Sequence, residues 1–140
     1  MWERSAARMG GATEYAVCSS ADDVRRDYRC IFDASGDAAL LDTLVMRLAK
    51  GGEIVLAGFY ATPITFAFPP AFMKEARLRV AAEWSPADLA DVVEMAQRGT
   101  LSLDGLITDL SPADRAADAY RAAFDDPSCL KMVLDWRNAS

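Results

Sequence analysis

Two short stretches place a glycine directly after an apolar run, Asp33-Ala34-Ser35-Gly36 and Ala57-Gly58-Phe59-Tyr60. In open α/β sheets ligands bind beyond the carboxyl ends of parallel strands, and a glycine there lets a ligand approach the backbone closely. The same glycines would serve equally well if they only made tight strand-to-helix turns. Glu3 offers a carboxylate that, at the end of a strand in a dinucleotide fold, accepts hydrogen bonds from ribose hydroxyls; as an isolated glutamate it is solvated surface. Lys131 interrupts an otherwise apolar run near the end of the chain, where it either meets an anion such as a pyrophosphate or extends to solvent. Phe59, Tyr60, Phe66, Phe68, Phe72 and Trp84 crowd the middle of the chain and suit a flat-ligand pocket, a subunit contact or plain core.

Other chemistries are excluded by composition. The chain has no histidine, so it cannot supply a Ser-His-Asp triad, an HExxH site or a His-based zinc site. Cys18, Cys30 and Cys129 follow no metal-ligand spacing and are expected to behave as small core residues. An odd cysteine count without a visible secretion signal fits a reducing cytoplasm. A net charge of −6 leaves no basic stripe to neutralise phosphates, so nucleic acid is not an expected partner. With 52% hydrophobic and 26% charged residues, the 140-residue chain has the balance of a globular protein with one moderate core, as one domain or parts of two. The uncharged stretch from Ile54 to Met73 is long enough to mimic a membrane span. Gly58, Pro63, Pro69 and Pro70 interrupt it, so it reads as strand, loop and strand, with no integral membrane segment.

The elements that would position these residues alternate. Tyr15-Ala16-Val17-Cys18 and Arg29-Cys30-Ile31-Phe32-Asp33 are strand candidates. Asp37 can cap a helix with apolar face Leu40, Leu41, Leu44, Val45 and Leu48, ended by Lys50-Gly51-Gly52. Glu53 to Gly58 is a near-continuous apolar run, as expected of a strand covered on both faces. Strand, helix and strand joined by short turns make a parallel βαβ unit. Ile64-Thr65-Phe66-Ala67-Phe68, closed by Pro69-Pro70, reads as an edge strand, and Arg77 to Glu83 as a further strand. Ser85-Pro86-Ala87-Asp88 and Ser111-Pro112-Ala113-Asp114 each read as serine N-cap, proline at the first helical position and acid in the first turn. The helices run to about Arg98-Gly99 and about Phe124, and Leu130 to Leu134 closes the chain as a strand.

This succession resembles the second half of a medium-chain alcohol dehydrogenase. The resemblance rests on Phe32-Asp33-Ala34-Ser35-Gly36, on Leu48-Ala49-Lys50-Gly51-Gly52-Glu53-Ile54-Val55-Leu56-Ala57-Gly58, on Leu106-Ile107-Thr108 and on Lys131-Met132-Val133-Leu134. A narrower set runs from Gly58-Phe59-Tyr60 through Pro63 to Met73 and Ala82-Glu83-Trp84, with Ser102-Leu103-Asp104-Gly105 and Leu134-Asp135-Trp136. It is similar to the bacteriochlorophyllide dehydrogenase family of bacteriochlorophyll a biosynthesis, across essentially the whole chain.

The resemblance implies an α/β fold: a partial Rossmann-type doubly wound parallel sheet over residues 1–90, then a C-terminal segment, 91–140, returning to the catalytic domain. It implies NAD as cofactor, a bacteriochlorophyllide-type macrocycle as substrate, and oxidation of its hydroxyethyl group to acetyl. Glu3 matches the ribose-binding acid, and Ser35, Gly36, Gly58 and Phe59 match positions around the ribose and nicotinamide. Lys131 matches a basic position that reaches the pyrophosphate, and Pro63 to Phe68 an edge used for subunit pairing, hence a homodimer in the intact enzyme. The glycine-rich loop belongs about 20 residues before the acid, so the phosphate loop, the first sheet strand and the substrate domain are expected to lie outside these residues. No residue here takes a catalytic role, no zinc is expected, and the 140 residues alone are expected to fold poorly and to be inactive. Two other readings remain open at this point: a methyltransferase-type α/β domain binding a sulfonium cofactor, and a non-catalytic interaction module.

Overall fold

The computed structural model describes residues 1–9 and 16–137. The chain divides into two compact units, Val24–Ser85 and a second made of Met1–Asp23 with Pro86–Ser140.

In the first unit, β1 (Tyr28–Asp33), β2 (Leu48–Leu56) and β3 (Arg77–Val80) form a parallel sheet in the order β1-β2-β3. Ile31 lies beside Ile54 and Asp33 beside Leu56, while Leu56 pairs on its other side with Val80. The crossover between β1 and β2 is helical, as a parallel connection requires. Asp37 caps it as expected, its Oδ1 accepting from the Ala39 amide at 3.0 Å at the start of a 3-10 turn, Ala38–Leu40. That turn leads into α2 (Leu41–Arg47), whose Leu41, Leu44 and Val45 pack with Leu48, Ile54 and Val55 as the fully buried core.

Three expected elements need correction in this unit. Helix α2 ends one turn early: Leu48 is already extended at ψ 147° and pairs with Tyr28, so Lys50-Gly51-Gly52 lies within β2. Strand pairing captures the backbone that a longer helix would have used. Residues 64–67 form no strand, and Phe68-Pro69-Pro70 opens a helix, α3 (Phe68–Lys74). Alternating apolar residues make a strand only with a hydrogen-bonded partner, and within this chain the segment has none among the described residues. The prolines meanwhile fit a first helical turn, whose amides have no intrahelical acceptor. Finally, β3 stops at Val80, and Ala81 donates a last bond to the Leu56 carbonyl at 2.9 Å.

Sheet order leaves β1 paired along one edge only. Strand alternation puts Cys30 and Phe32 on the face opposite Ile31 and Asp33. Cys30 is exposed rather than core, and Phe32 is 71% exposed.

The second unit contains α1 (Ala6–Met9), α4 (Pro86–Gln97), β4 (Asp109–Pro112), α5 (Ala116–Asp125) and β5 (Met132–Asp135). Strands β4 and β5 are parallel, with Leu110 beside Val133 and Ser111 beside Leu134. Pro86 opens α4 as expected, and Gly99 takes the left-handed conformation beyond its end. The second serine-proline start behaves differently. Ser111 and Pro112 are the end of β4, no side chain caps the following turn (Ala113–Arg115), and α5 begins only at Ala116. Pairing with β5 has taken the two residues that local capping chemistry would have used. The closing strand begins two residues later than expected, at Met132, so Lys131 precedes it. Of the expected strand 15–18, Tyr15 lies outside the described residues, and Cys18 makes a single parallel bridge with Trp2. Cys129 is buried, as expected of a small core residue, while Cys18 is only half-buried. Among the described residues no helix is long and apolar enough to cross a membrane.

The location of the core gives a direct expectation. Leu44→Ala should cost about 2–5 kcal/mol, the range for a buried leucine leaving a cavity. Val92→Ala on α4, where no residue is buried, should fall within about 0.5 kcal/mol of zero. Urea midpoints of the two variants measure the difference.

Candidate functional site

The carboxyl ends of β1 and β2 come together in the first unit and bring Ser35, Gly36, Gly58 and Phe59 into one place. Asp33 organises them. It is 4% exposed at the end of β1, and its carbonyl accepts from the Ala57 amide at 2.8 Å and the Gly58 amide at 2.9 Å. Its Oδ1 accepts from the Ser35 amide at 2.9 Å, and its Oδ2 from the Tyr60 hydroxyl, also at 2.9 Å. Ser35 is exposed, with Oγ accepting from the Asp37 amide at 3.1 Å.

The two glycines are needed for the turns themselves. Gly36 has φ +71°, and a Cβ there would sit 2.6 Å from the Phe59 carbonyl oxygen. A Cβ on Gly58 would sit 2.6 Å from the Gly36 nitrogen. Backbone therefore packs on backbone, and the space a side chain would take is filled by the neighbouring turn. Phe59, by contrast, is 96% exposed beyond the strand ends, an aromatic face open to a ligand.

Tyr60, named from sequence only as one aromatic among six, is the residue that joins the second turn to Asp33. Partial burial and the adjacent Asp33 carboxylate push its phenol up to about 12 from an ordinary 10.0, because both disfavour the phenolate. A charged residue closing an apolar strand was the available signal for Asp33; nothing local marks its tyrosine partner 27 positions on.

Glu3 and Lys131 belong to the second unit. The Glu3 amide donates to the Cys18 carbonyl at 3.1 Å, and its Oε1 accepts from the Ser5 amide at 2.8 Å, a turn of its own just after the Trp2–Cys18 bridge. Lys131 is exposed, and its carbonyl accepts from the Thr108 and Asp109 amides at 3.2 and 3.3 Å. It lines an open groove of about 380 Å³ together with Tyr120, Phe124, Cys129 and Leu134. A hydrogen bond with Asp109, then burial, push the Cys129 thiol up, which disfavours its reactive thiolate. A second groove, of about 460 Å³, lies in the first unit between Phe66, Phe68, Phe72, Met73 and Leu78, with the Lys50–Glu75 ion pair (2.9 Å) at its rim. Three of the six singled-out aromatics line this groove, so they build a surface cleft rather than core.

Comparison with solved structures defines the class first. The chain matches 2R,3R-butanediol dehydrogenase from Bacillus subtilis with a TM-score of 0.82 at 17% identity, covering 96% of this chain and 42% of that one. It matches an alcohol dehydrogenase from E. coli CFT073, solved with NADH, with a TM-score of 0.79 at 18% identity, covering 96% and 43%. An alcohol dehydrogenase from Thermotoga maritima gives 0.68 at 26% identity, covering 78% and 30%. The mixed α/β structure with parallel sheets thus matches the Rossmann-like fold of these alcohol dehydrogenases. Sequence narrows this further: the chain is homologous along nearly its whole length to proteins named 2-desacetyl-2-hydroxyethyl bacteriochlorophyllide A dehydrogenase. It is 58% identical over 139 residues to the Rhodobacter capsulatus protein and 61% identical over 137 residues to that of Cereibacter sphaeroides. These matches take in 99% and 98% of this chain but 44% and 43% of those relatives, so it spans less than half their length. No family model matches it. The resemblance read from the sequence is borne out.

Two measurements follow from the geometry. Gly36→Ala is expected to destabilise the first unit, since it meets both a positive φ and a carbonyl oxygen at 2.6 Å, whereas Ala34→Gly should leave the turn contact intact; thermal unfolding checks this. For Tyr60, a folded pKa raised above the unfolded value means that its contribution is full below pH 10 and lost as pH rises through about 12. Absorbance at 295 nm should therefore show a phenolate step near pH 12 that Tyr60→Phe abolishes.

Proposed function

We propose that this chain is the C-terminal part of an oxidoreductase that oxidises the hydroxyethyl group of a bacteriochlorophyllide to acetyl with NAD. The observation that carries the reading is identity of 58–61% over 98–99% of the chain to relatives named for that substrate. Converting a secondary alcohol to a ketone removes a hydride from carbon and a proton from oxygen, and NAD, when bound, takes the hydride.

In this reading residues 1–90 contribute to the cofactor domain, and 91–140 return to the catalytic domain. Ser35, Gly36, Gly58 and Phe59 lie along the cofactor's ribose and nicotinamide, with the exposed Phe59 ring screening that end from water. Glu3 accepts hydrogen bonds from the adenosine ribose, and its charge opposes the extra phosphate of NADP. Lys131 supplies a positive charge to the pyrophosphate. The acid-base group lies outside these residues. A macrocycle as large as the substrate suits the aromatic segment Phe59 to Phe72, and residues Pro63 to Phe68 pair with a second copy in a homodimer, which would give that segment the strand partner it lacks among the described residues. The protein works in the cytoplasm.

The experiment compares the 140-residue chain with a version extended upstream by about 170 residues, roughly one domain's length. NADH binding and hydroxyethyl-bacteriochlorophyllide oxidation are expected only in the extended form. Within it, Lys131→Ala and Glu3→Ala should each weaken NADH binding, and Glu3→Ala should reduce the preference for NADH over NADPH. If the extended form neither binds NADH nor turns over, the dehydrogenase reading is wrong.

A further inference from the structure

Asp33 and Tyr60 are not among the residues placed against the cofactor, yet the bonds around them hold that edge in shape. The turn 57–60 carries Phe59 out into solvent, and its hold on β1 comes from the Ala57 and Gly58 amides on one side of Phe59 and the Tyr60 hydroxyl on the other. All three converge on Asp33, whose carbonyl also lies 3.2 Å from that hydroxyl. The turn 33–36 is closed by the same residue through Ser35. Between the two turns the contact at Gly36 and Gly58 is backbone against backbone, with no side chain to interlock. Take away the Tyr60 hydroxyl, and a carboxylate 4% exposed loses one of its two donors. A buried charge left short of partners is costly, and the cheapest relief is for the turn to open and admit water. The core around Leu44 and Ile54 need not respond, because such openings are local.

We propose that Asp33 and Tyr60 are positioning residues: their hydrogen bond locks the turns 33–36 and 57–60 into one rigid edge at the carboxyl end of the sheet, and cofactor affinity depends on that lock. The inference rests on reading this edge as the nicotinamide side of the NAD site. Unlocking the edge lowers the population competent to bind, and apparent affinity falls by the same factor.

The test uses Tyr60→Phe, which keeps the ring and removes only the hydroxyl, in the upstream-extended protein. Two readouts are taken: amide hydrogen exchange and NADH affinity by fluorescence. Exchange is expected to quicken at Ser35, Ala57 and Gly58 while the Val45 and Ile54 amides are unchanged. NADH affinity is expected to weaken about three- to tenfold, the size of a comparable drop in competent population. Asp33→Asn, with Tyr60 in place, retains a side-chain oxygen for Ser35 and an amide that can bond the tyrosine oxygen, and should keep most of the protection that Tyr60→Phe loses. Unchanged exchange at the three amides overturns the lock. A uniform rise across core and turns, with NADH affinity intact, overturns it too, since that is the pattern of a merely structural residue. Failure of the cofactor reading looks different: the unsubstituted extended protein would not bind NADH, while the exchange pattern would still reveal whether the lock exists.

Discussion

A carboxylate buried at the end of a parallel strand must be met by donors, and at Asp33 that requirement shapes the surroundings. The Ser35 amide and the Tyr60 hydroxyl satisfy its two oxygens, while its carbonyl takes the Ala57 and Gly58 amides. Meeting those bonds draws the turn after β2 against the turn after β1. The approach is so close that neither Gly36 nor Gly58 has room for a Cβ. The exposed Phe59 ring, the outward Ser35 and the flat backbone edge beside them all follow from this one convergence.

Behind the edge, the two units differ in how they are held. Val24–Ser85 has its own core, with α2 closing over β2 and six large side chains fully buried. The second unit buries little among its described residues: Ala119 and Cys129 are buried, α4 buries nothing, and Phe124 is 80% exposed. Helix and strand are regular there, but the apolar faces that normally stabilise such elements meet solvent. The open edge of β1, with Phe32 exposed, has the same character.

Where the sequence read correctly, short-range chemistry was in control. The βαβ unit was legible because the period changes from strand to helix to strand within 30 residues and Asp37 stands where a cap is needed. Pro86 and Gly99 bracketed α4 for the same kind of reason. Misreadings occurred where a distant partner overruled a local preference. Leu48 left the helix to pair with Tyr28, and Ser111-Pro112 joined β5 instead of capping α5. The apolar alternation of residues 64–68 found no strand to join among the described residues, so Pro69 and Pro70 decided the matter in favour of a helix.

The candidate site divides along the same line. Sequence by itself determined the two glycine-bearing strand ends, the family resemblance and the absence of histidine chemistry, because each is written in residue types at short spacing. Only the tertiary structure showed that the glycines serve the contact between turns and that Asp33 is the point where both are fastened. It alone showed that Tyr60 is set apart from the other aromatics. A hydrogen bond between residues 27 positions apart exists only once β1 and β2 lie side by side, and no local pattern encodes it.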